Sequence, residues 1–253
     1  MSTAPHPPDI ITVFGRNLVD DLIGRLGFTE MIGLVMTQGT PMPASHLEII
    51  DALLVTFTDH GVTPSSMAAR LTLLGAPEAM QAAVAAGICG AGSRFLGTLE
   101  NCARDLSAAV AAEPGADPER IARSLVEKAG TEGRPVVGIG HPEHKLEDPR
   151  VPRLLEIAAR NQLAGPCVAV LLALPVATEQ ASGRTLPVNA AGLAGALLAD
   201  MGYSPSFARG IAIIARAAGL VGQLLDEEKD GQARSLWDRE RRRAAATDNE
   251  RQD

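Results

Sequence analysis

The chain has 253 residues, of which 46% are hydrophobic and only 3% aromatic, and its formal net charge is −7. This length is enough for one large domain or two small ones, and a core built from Ala, Leu, Val and Ile favours closely packed helices. An acidic chain has no broad field that attracts nucleic acid, so we expect no nucleic-acid partner.

The cysteines and the first residues narrow the class of protein further. Cys89, Cys102 and Cys167 are odd in number and lie in apolar surroundings, which is typical of reduced, buried thiols in a cytoplasmic protein. No Cys-x-x-Cys or His-Glu-x-x-His spacing occurs, so we expect no metal site. Residues 1–8 are rich in proline without a basic start or an apolar stretch, which predicts a disordered segment and no secretory signal. Polar residues interrupt every apolar run before ~20 residues, so we expect no membrane span.

Hydrophobic periodicity and capping residues predict helices along the whole chain and therefore an all-α fold. The first predicted helices are Arg16–Leu26, Phe28–Met36, Ser45–Asp59, Pro64–Leu74, Glu78–Cys89 and Ser93–Ala112. Those that follow are Pro118–Ala129, Pro152–Gln162, Pro166–Glu179, Val188–Asp200 and Pro205–Asp226. Ser45 and Glu48 have the spacing of a capping box.

Other segments are less regular. Val136–Ile139 and Val168–Leu174 are the most strand-like runs, and the second is also long enough to be a buried helix. The tail from Glu227 is highly charged, which is typical of a solvated helix end. Trp237 is a candidate to attach this tail to the body or to another subunit. No internal repeat is visible.

One loop has the residues for chemistry. Gly138-Ile139-Gly140 leads to His141, and Asp148-Pro149-Arg150 follows. Glycines let a ligand approach the main chain, and a histidine exchanges protons near neutral pH. Pro149 disfavours helix before it and can begin the next one, so Arg150 is expected near a helix N-terminus. From these residues alone, an ordinary surface turn with an exposed histidine is an equally good interpretation.

Arg216 is the second chemical feature. It lies within the apolar run Ile211–Leu220, where a buried charge is costly without an anionic partner. Either it reaches the surface or pairs with a core aspartate, or its guanidinium binds a ligand carboxylate, as Arg150 could also do. Two arginines meeting His60 and His141 would suit a small polycarboxylate.

The loop resembles the active-site loop of the citrate synthase superfamily, in which Gly-x-Gly-His is followed by Asp-Pro-Arg. The rest of the chain is most similar to the citryl-CoA lyase branch, the cleavage module also found at the end of ATP-citrate lyase. This resemblance covers roughly residues 10–240. It implies a large helical domain, about residues 1–97 and 206–253, with a smaller helical domain inserted at about residues 98–205. It also implies a homodimer or a dimer of dimers, with the site in the cleft between the domains.

The resemblance implies a role for each candidate residue. His60 follows Asp59 in a turn that matches the family's binding site for the oxaloacetate-like part, so it is expected to bind substrate and take part in catalysis. The backbone of Gly138-Ile139-Gly140 would bind CoA. His141 would act at the hydroxyl or carbonyl oxygen where the bond breaks. Arg150 and Arg216 would bind carboxylates.

Two positions depart from the family pattern. By the resemblance, Leu96 stands where the synthases have another catalytic histidine. The lyase branch also lacks this histidine, so Leu96 favours cleavage over synthesis. Asn189 stands where the family has an aspartate that handles the proton of the thioester α-carbon, and an amide does not titrate near neutral pH. Glu100, Glu143 or His144 could replace that base, Asn189 could donate to an enolate oxygen, or the chemistry could be weak or different.

The expected function is a carbon–carbon lyase of the citryl-CoA lyase type, located in the cytoplasm. Its partners would be a CoA thioester and a small polycarboxylate, with CoA as part of the substrate and no tightly bound cofactor. His141 would handle the hydroxyl proton and Asn189 would lie beside the nascent enolate. The alternatives are a related Claisen-type enzyme for another acyl-CoA or keto acid, and a non-catalytic protein that binds CoA or a polycarboxylate.

Overall fold

The structure, a computed structural model, describes residues 10–59 and 61–250. Over these ranges the fold is all-α, as predicted, with eleven α-helices. The first six are α1 (Phe28–Met36), α2 (Ala44–Thr58), α3 (Pro64–Gly75), α4 (Met80–Cys89), α5 (Gly97–Ala112) and α6 (Pro118–Thr131). The others are α7 (Arg150–Arg160), α8 (Pro166–Ser182), α9 (Ala190–Asp200), α10 (Pro205–Glu227) and α11 (Gln232–Glu250). The prediction of disorder for residues 1–8 falls outside the described residues.

The N-terminal segment differs from its prediction. In place of a helix over Arg16–Leu26, strand β1 (Thr12–Val13) pairs antiparallel with β2 (Arg16–Asn17), and a π-helical turn follows at Leu18–Leu22. The side chain of Asn17 accepts hydrogen bonds from the backbone N–H groups of Val19 at 2.9 Å and Asp20 at 3.3 Å. Asn17 thereby caps the π-helical turn in the way that an N-cap asparagine caps an α-helix.

Smaller corrections concern helix ends and one thiol. The capping box predicted at Ser45 is wrong, because α2 begins at Ala44 after Pro43, without a side-chain cap. A second π-helical turn, Gly92–Leu96, precedes α5. Val168–Leu174 is helical and lies inside α8. Cys102 and Cys167 are buried as expected, whereas Cys89 is exposed.

Helix α10 is the central element of the fold. It packs against α2, α3, α4, α5 and α9, and its inward face contributes buried Ile211, Ala215, Leu220 and Leu224. It is also the one helix in the described ranges that is long and apolar enough to cross a membrane by length and composition, a criterion that the core helix of a globular domain meets equally. Its contacts on several sides are those of a core helix.

Two polar arrangements fix the C-terminal part of the chain. Arg70 on α3 is buried and donates to Glu227 at 2.6 Å and to Asp226 at 2.9 Å, so the end of α10 is tied to α3. The other oxygen of Glu227 accepts from the backbone of Ala233 at 2.8 Å, at the start of α11. Trp237 on α11 is 45% exposed, and the guanidinium groups of Arg234 and Arg241 on the same helix lie over its ring.

Two glycines on α10, Gly219 and Gly222, differ in how closely other parts of the chain approach them. A Cβ atom at Gly219 would lie 1.6 Å from the carbonyl oxygen of Thr58, whereas a Cβ at Gly222 would meet nothing within 4 Å. We expect Gly219→Ala to lower the free energy of unfolding by about 3 kcal/mol or more, because backbone must move. Gly222→Ala should raise it by about 0.5–1 kcal/mol. Urea denaturation measures both, and equal stabilities would contradict the close approach of α2 and α10.

Candidate active site

A cavity of about 360 Å³ lies between the loop after α6, the starts of α5 and α9, and the middle of α10. Its described polar lining includes four of the predicted site residues, His141, Arg150, Asn189 and Arg216. The remaining wall is largely apolar, from residues such as Phe57, Leu96, Leu99 and Ala212. A concave, mostly apolar site with a few converging polar groups is the usual form of a small-molecule site.

The glycine loop is docked on the start of α9. Gly138 and Gly140 have φ angles of 89° and 80°, which only glycine adopts at little cost. The N–H of Gly140 donates to Pro187 at 2.6 Å, and the N–H of Asn189 donates to Gly138 at 3.0 Å. A Cβ atom on Gly192 would lie 2.4 Å from the backbone of Gly138, so neither position tolerates a side chain. The loop backbone is therefore fixed rather than free to adapt.

The side chain of Asn189 completes this docking. Its Oδ1 accepts from the N–H of Gly192 at 2.8 Å and caps α9, while its Nδ2 donates to the carbonyl oxygen of Gly140 at 2.8 Å. Both polar atoms of the amide are thus used to hold the loop. Asn189 therefore holds the loop through Nδ2 and caps α9 through Oδ1, and it also lines the cavity. Ala191, two residues later, presents its methyl group to the cavity.

The hydrogen bonds of His141 define its tautomer. Its Nδ1 accepts from the backbone N–H groups of Glu143 and His144, both at 3.1 Å, so the ring proton is assigned to Nε2. The ring also stacks on His144, with centroids 4.4 Å apart. In this tautomer His141 presents Nε2 as a hydrogen-bond donor.

Arg150 begins α7, as predicted, and its guanidinium is held by Asp148. The Nε and Nη2 atoms of Arg150 donate to the two carboxylate oxygens at 2.8 and 2.7 Å. Burial alone would raise the pKa of Asp148, but the hydrogen bonds from Arg150 and from the backbone of Ala190 outweigh it and lower the pKa to about 2. Nη2 also lies 3.5 Å from Nε2 of His141, so these two donors face the same region of the cavity.

Arg216 reaches the cavity from the middle of α10. Its Nε is buried and makes no hydrogen bond within the part of the chain that is described. Burial lowers the pKa of this guanidinium from its ordinary value, and nearby Asp59 opposes the change. A desolvated guanidinium with an unused donor is suited to an anionic ligand.

The groups proposed to replace the missing aspartate do not line the cavity. His60 lies outside the described residues. Glu100 pairs with Arg104 and Arg209 instead, and neither Glu143 nor His144 lines the cavity. Among the described lining residues none carries a carboxylate. Asp148 is the functional residue that sequence reasoning overlooked, although its place in the Asp-Pro-Arg turn was the available signal. No group of three or more metal-ligating side chains occurs within the described ranges.

Comparison with known sequences agrees with this geometry. A family model described as citrate synthase, C-terminal domain, matches residues 12–237. ATP-citrate synthase of Homo sapiens is 26% identical over 232 residues, which is 85% of this chain and 20% of that protein. Putative citrate synthase 2 of Mycobacterium tuberculosis is 29% identical over 201 residues, or 77% of this chain and 51% of that protein. The chain therefore spans between a fifth and half of the length of these relatives.

Solved structures with the same fold include enzymes of both cleavage and synthesis. Citryl-CoA lyase from Hydrogenobacter thermophilus superposes with a TM-score of 0.78 and 29% identity, over 88% of this chain and 84% of that one. Citrate synthase from Pyrobaculum aerophilum gives 0.62 and 26%, over 81% and 50%. ATP citrate lyase from Methanothrix soehngenii, in complex with citrate and coenzyme A, gives 0.72 and 22%, over 90% and 40%, a likeness in fold alone.

The loop-holding role of Asn189 predicts the effect of an aspartate there. Asn189→Asp keeps the cap of α9 but loses the donor to Gly140 and places a carboxylate against a carbonyl oxygen. A carboxylate at a helix N-terminus gains about 0.3–1 kcal/mol, whereas leaving the partly buried carbonyl oxygen of Gly140 unpaired costs more, about 1–3 kcal/mol. We expect a net loss of about 1–2 kcal/mol in urea denaturation and faster hydrogen exchange in residues 138–141.

The companion variant Asn189→Ala loses both hydrogen bonds and sets the lower limit of stability. Asn189→Asp should fall between this variant and the unmodified chain. If Asn189→Asp is as stable as the unmodified chain and exchanges at the same rate, the bond to Gly140 does not hold the loop.

The low pKa of Asp148 predicts a pH dependence of stability. Its pKa is lowered from 3.8 to about 2, so the paired carboxylate stabilises the fold fully above about pH 4. This contribution, roughly 2 kcal/mol, is lost as the pH falls through 2. The difference in unfolding free energy between the unmodified chain and Asp148→Asn should shrink between pH 5 and pH 2.5. A constant difference across this range, in urea denaturation, would contradict the assignment.

Proposed function

The chain belongs to the citrate synthase family, and we propose that it is a carbon–carbon lyase of the citryl-CoA lyase type, which converts citryl-CoA to acetyl-CoA and oxaloacetate. The observation that carries this proposal is the meeting of His141, Arg150 and Arg216 around one cavity. The 29% identity with a citryl-CoA lyase over 88% of the chain supports cleavage. Leu96, at the position of a synthase histidine, is among the apolar lining residues and supports the same direction.

The charged groups define how the acid part would bind. Arg216 offers a partly desolvated guanidinium, and Arg150 offers the N–H donors that Asp148 does not use. Planar guanidinium groups pair with carboxylates through two parallel hydrogen bonds. In this proposal the two arginines bind carboxylates of the substrate and fix its reacting carbon beside the loop. His60, by its match to the family turn, remains a proposed ligand of the same part.

His141 would stabilise negative charge on oxygen. During cleavage the substrate hydroxyl passes its proton to water and its oxygen becomes the oxaloacetate carbonyl as the carbon–carbon bond breaks. The electron pair of that bond moves into the thioester to form the acetyl-CoA enolate, whose carbon takes one proton from water, so no proton is gained or lost overall. A preorganised N–H donor next to oxygen that carries the developing charge is worth a few kcal/mol. Nε2 of His141 is such a donor, and Nη2 of Arg150 lies 3.5 Å from it. The pair is suited to one shared oxygen atom.

The rest of the site would bind the thioester. The backbone of Gly138-Ile139-Gly140 lines the cavity, and its fixed conformation is suited to contact with CoA. Apolar side chains such as Phe57, Leu99 and Ala212 would exclude water from the acyl carbon, which strengthens the electrostatic contacts there. CoA would be part of the substrate, and we propose no tightly bound cofactor and no metal.

The lining residues also support the proposed organisation of the chain. His141, Arg150 and Asn189 come from residues 98–205, whereas Phe57 and Arg216 come from the segments 1–97 and 206–253. Because residues of both parts line the cavity, its position agrees with a cleft between a large domain and an inserted small domain. We propose this division, a homodimer or dimer of dimers, and a cytoplasmic location.

One observation favours a second candidate function. The described lining of the cavity has no carboxylate that could transfer a proton at the α-carbon. A chain that binds the acid and CoA without turning over a thioester would have such a site. This second candidate is therefore a non-catalytic protein that binds CoA or a polycarboxylate. A related Claisen-type enzyme for another acyl-CoA or keto acid remains a variant of the first proposal.

The decisive experiment follows oxaloacetate release from citryl-CoA with malate dehydrogenase and NADH. We expect turnover that falls by about 100-fold or more in His141→Ala and in Arg216→Gln, because each removes a charge-stabilising donor worth about 2.7–4 kcal/mol or an equivalent charged contact. Arg209→Gln is the matched control on α10, since Arg209 pairs with Glu100 and does not line the cavity.

The control variant should keep its activity within about twofold, as expected for an arginine in a partly exposed ion pair. Citrate or CoA binding by calorimetry without turnover of any thioester would favour the non-catalytic candidate. Equal loss in Arg209→Gln and Arg216→Gln would show that α10 arginines act through stability rather than through the cavity.

A further inference from the structure

We propose that Asp148 is a positioning residue that holds the guanidinium of Arg150 toward the cavity through a pair of parallel hydrogen bonds. The proposal rests on the proposed function, because its consequence is the binding of a carboxylate ligand. It concerns a residue that does not touch the ligand itself. Its support is the complete set of hydrogen bonds around one buried carboxylate.

The Asp148 carboxylate is fully buried and has four donors. Oδ1 accepts from the backbone N of Arg150 at 3.1 Å and from its Nε at 2.8 Å. Oδ2 accepts from Nη2 of Arg150 at 2.7 Å and from the backbone N of Ala190 at 2.9 Å. The Asp148 side chain is 0% exposed, so ligand and solvent have no access to it. Each carboxylate oxygen already accepts two hydrogen bonds, so Asp148 positions its donors and does not act as a base.

The geometry leaves a defined face of Arg150 for a ligand. A guanidinium has five N–H bonds, and the pair with Asp148 uses the one on Nε and one on Nη2. Three N–H bonds remain on a side chain that is 26% exposed and lines the cavity. Arginine loses about 2 kcal/mol of side-chain entropy when it is held in one rotamer. Because Asp148 already restricts the rotamers of Arg150 in the folded protein, this entropy is not lost again when a ligand binds.

The same carboxylate also joins two elements of the site. Through Ala190 it is bonded to the first residue of α9, and through Arg150 to the first residue of α7. The glycine loop is bonded to the start of α9 by Asn189. Asp148 therefore sets where the guanidinium lies relative to His141, whose Nε2 is 3.5 Å from Nη2. Without Asp148, the Arg150 side chain would sample several rotamers, and its guanidinium would lose its fixed position relative to His141.

A double-mutant cycle on citrate binding tests the proposal. Calorimetry would give Kd values for the unmodified chain, Asp148→Asn, Arg150→Gln and the double variant. We expect Asp148→Asn to weaken citrate binding by about tenfold or more. In the Arg150→Gln background the same change should alter Kd by less than about twofold, because Asp148 acts through Arg150. Equal effects in both backgrounds would overturn the proposal and indicate a general structural role.

Two further variants control the cycle. Arg153→Gln changes an exposed arginine on the same helix that pairs with Glu156, and it should leave citrate binding unchanged. If Asp148→Asn does not fold, as judged by circular dichroism, Asp148→Glu replaces it in the cycle, since the longer carboxylate keeps the charge and shifts the guanidinium.

Failure of the proposed function remains distinguishable from failure of this inference. If the unmodified chain binds no citrate, the proposed function fails and Arg150 is followed directly by NMR. Its Nε–H signal, assigned by its disappearance in Arg150→Gln, should exchange slowly with solvent because Asp148 accepts that hydrogen bond. An Nε–H signal with the same shift and exchange rate in Asp148→Asn would overturn the positioning role, and loss of protection would support it.

Discussion

The site depends on the close approach of two backbones, the glycine loop and the start of α9. Gly138 and Gly192 lie so near one another that a single added methyl group would overlap with main-chain atoms. Hydrogen bonds from Asn189 to Gly138 and Gly140, and from Gly140 to Pro187, then fix the register of the two segments. Because backbone groups that are buried must find partners, this docking determines where His141 lies.

Electrostatics divides the cationic groups of the cavity into two kinds. Arg150 has its charge matched by buried Asp148, so its burial is already compensated within the fold. Arg216 has a buried Nε without a hydrogen-bond partner in the described part of the chain, and burial lowers its pKa. Arg150 is therefore already oriented for a ligand, whereas an added anion would stabilise the buried charge of Arg216 more strongly. A ligand with a carboxylate at each would meet one preorganised group and one partly desolvated group.

The sequence predicted the helical class, most helices within a few residues, and the approach of His141, Arg150 and Arg216. The helices were predictable because apolar periodicity and proline starts are local signals. The approach of His141, Arg150 and Arg216 was predicted from the resemblance to the citrate synthase superfamily, because local spacing does not determine which distant segments meet. The sequence did not predict the π-helical turn after Asn17, and it wrongly placed a capping box at Ser45, whereas α2 begins one residue earlier, after Pro43, without a side-chain cap. The tautomer of His141 and the role of Asp148 depend on contacts between separate segments, which spacing alone does not determine.

The asparagine at position 189 and the conformation of the glycine loop are linked. In the observed geometry the side chain faces the carbonyl oxygen of Gly140 at 2.8 Å and the N–H of Gly192 at 2.8 Å, so it needs one donor and one acceptor. An amide supplies both, whereas a carboxylate supplies only acceptors at neutral pH. An aspartate at 189 would therefore require the loop to move or the acid to stay protonated. The amide is therefore part of the scaffold that places His141, and Asn189 and Ala191 both line the cavity at this helix start.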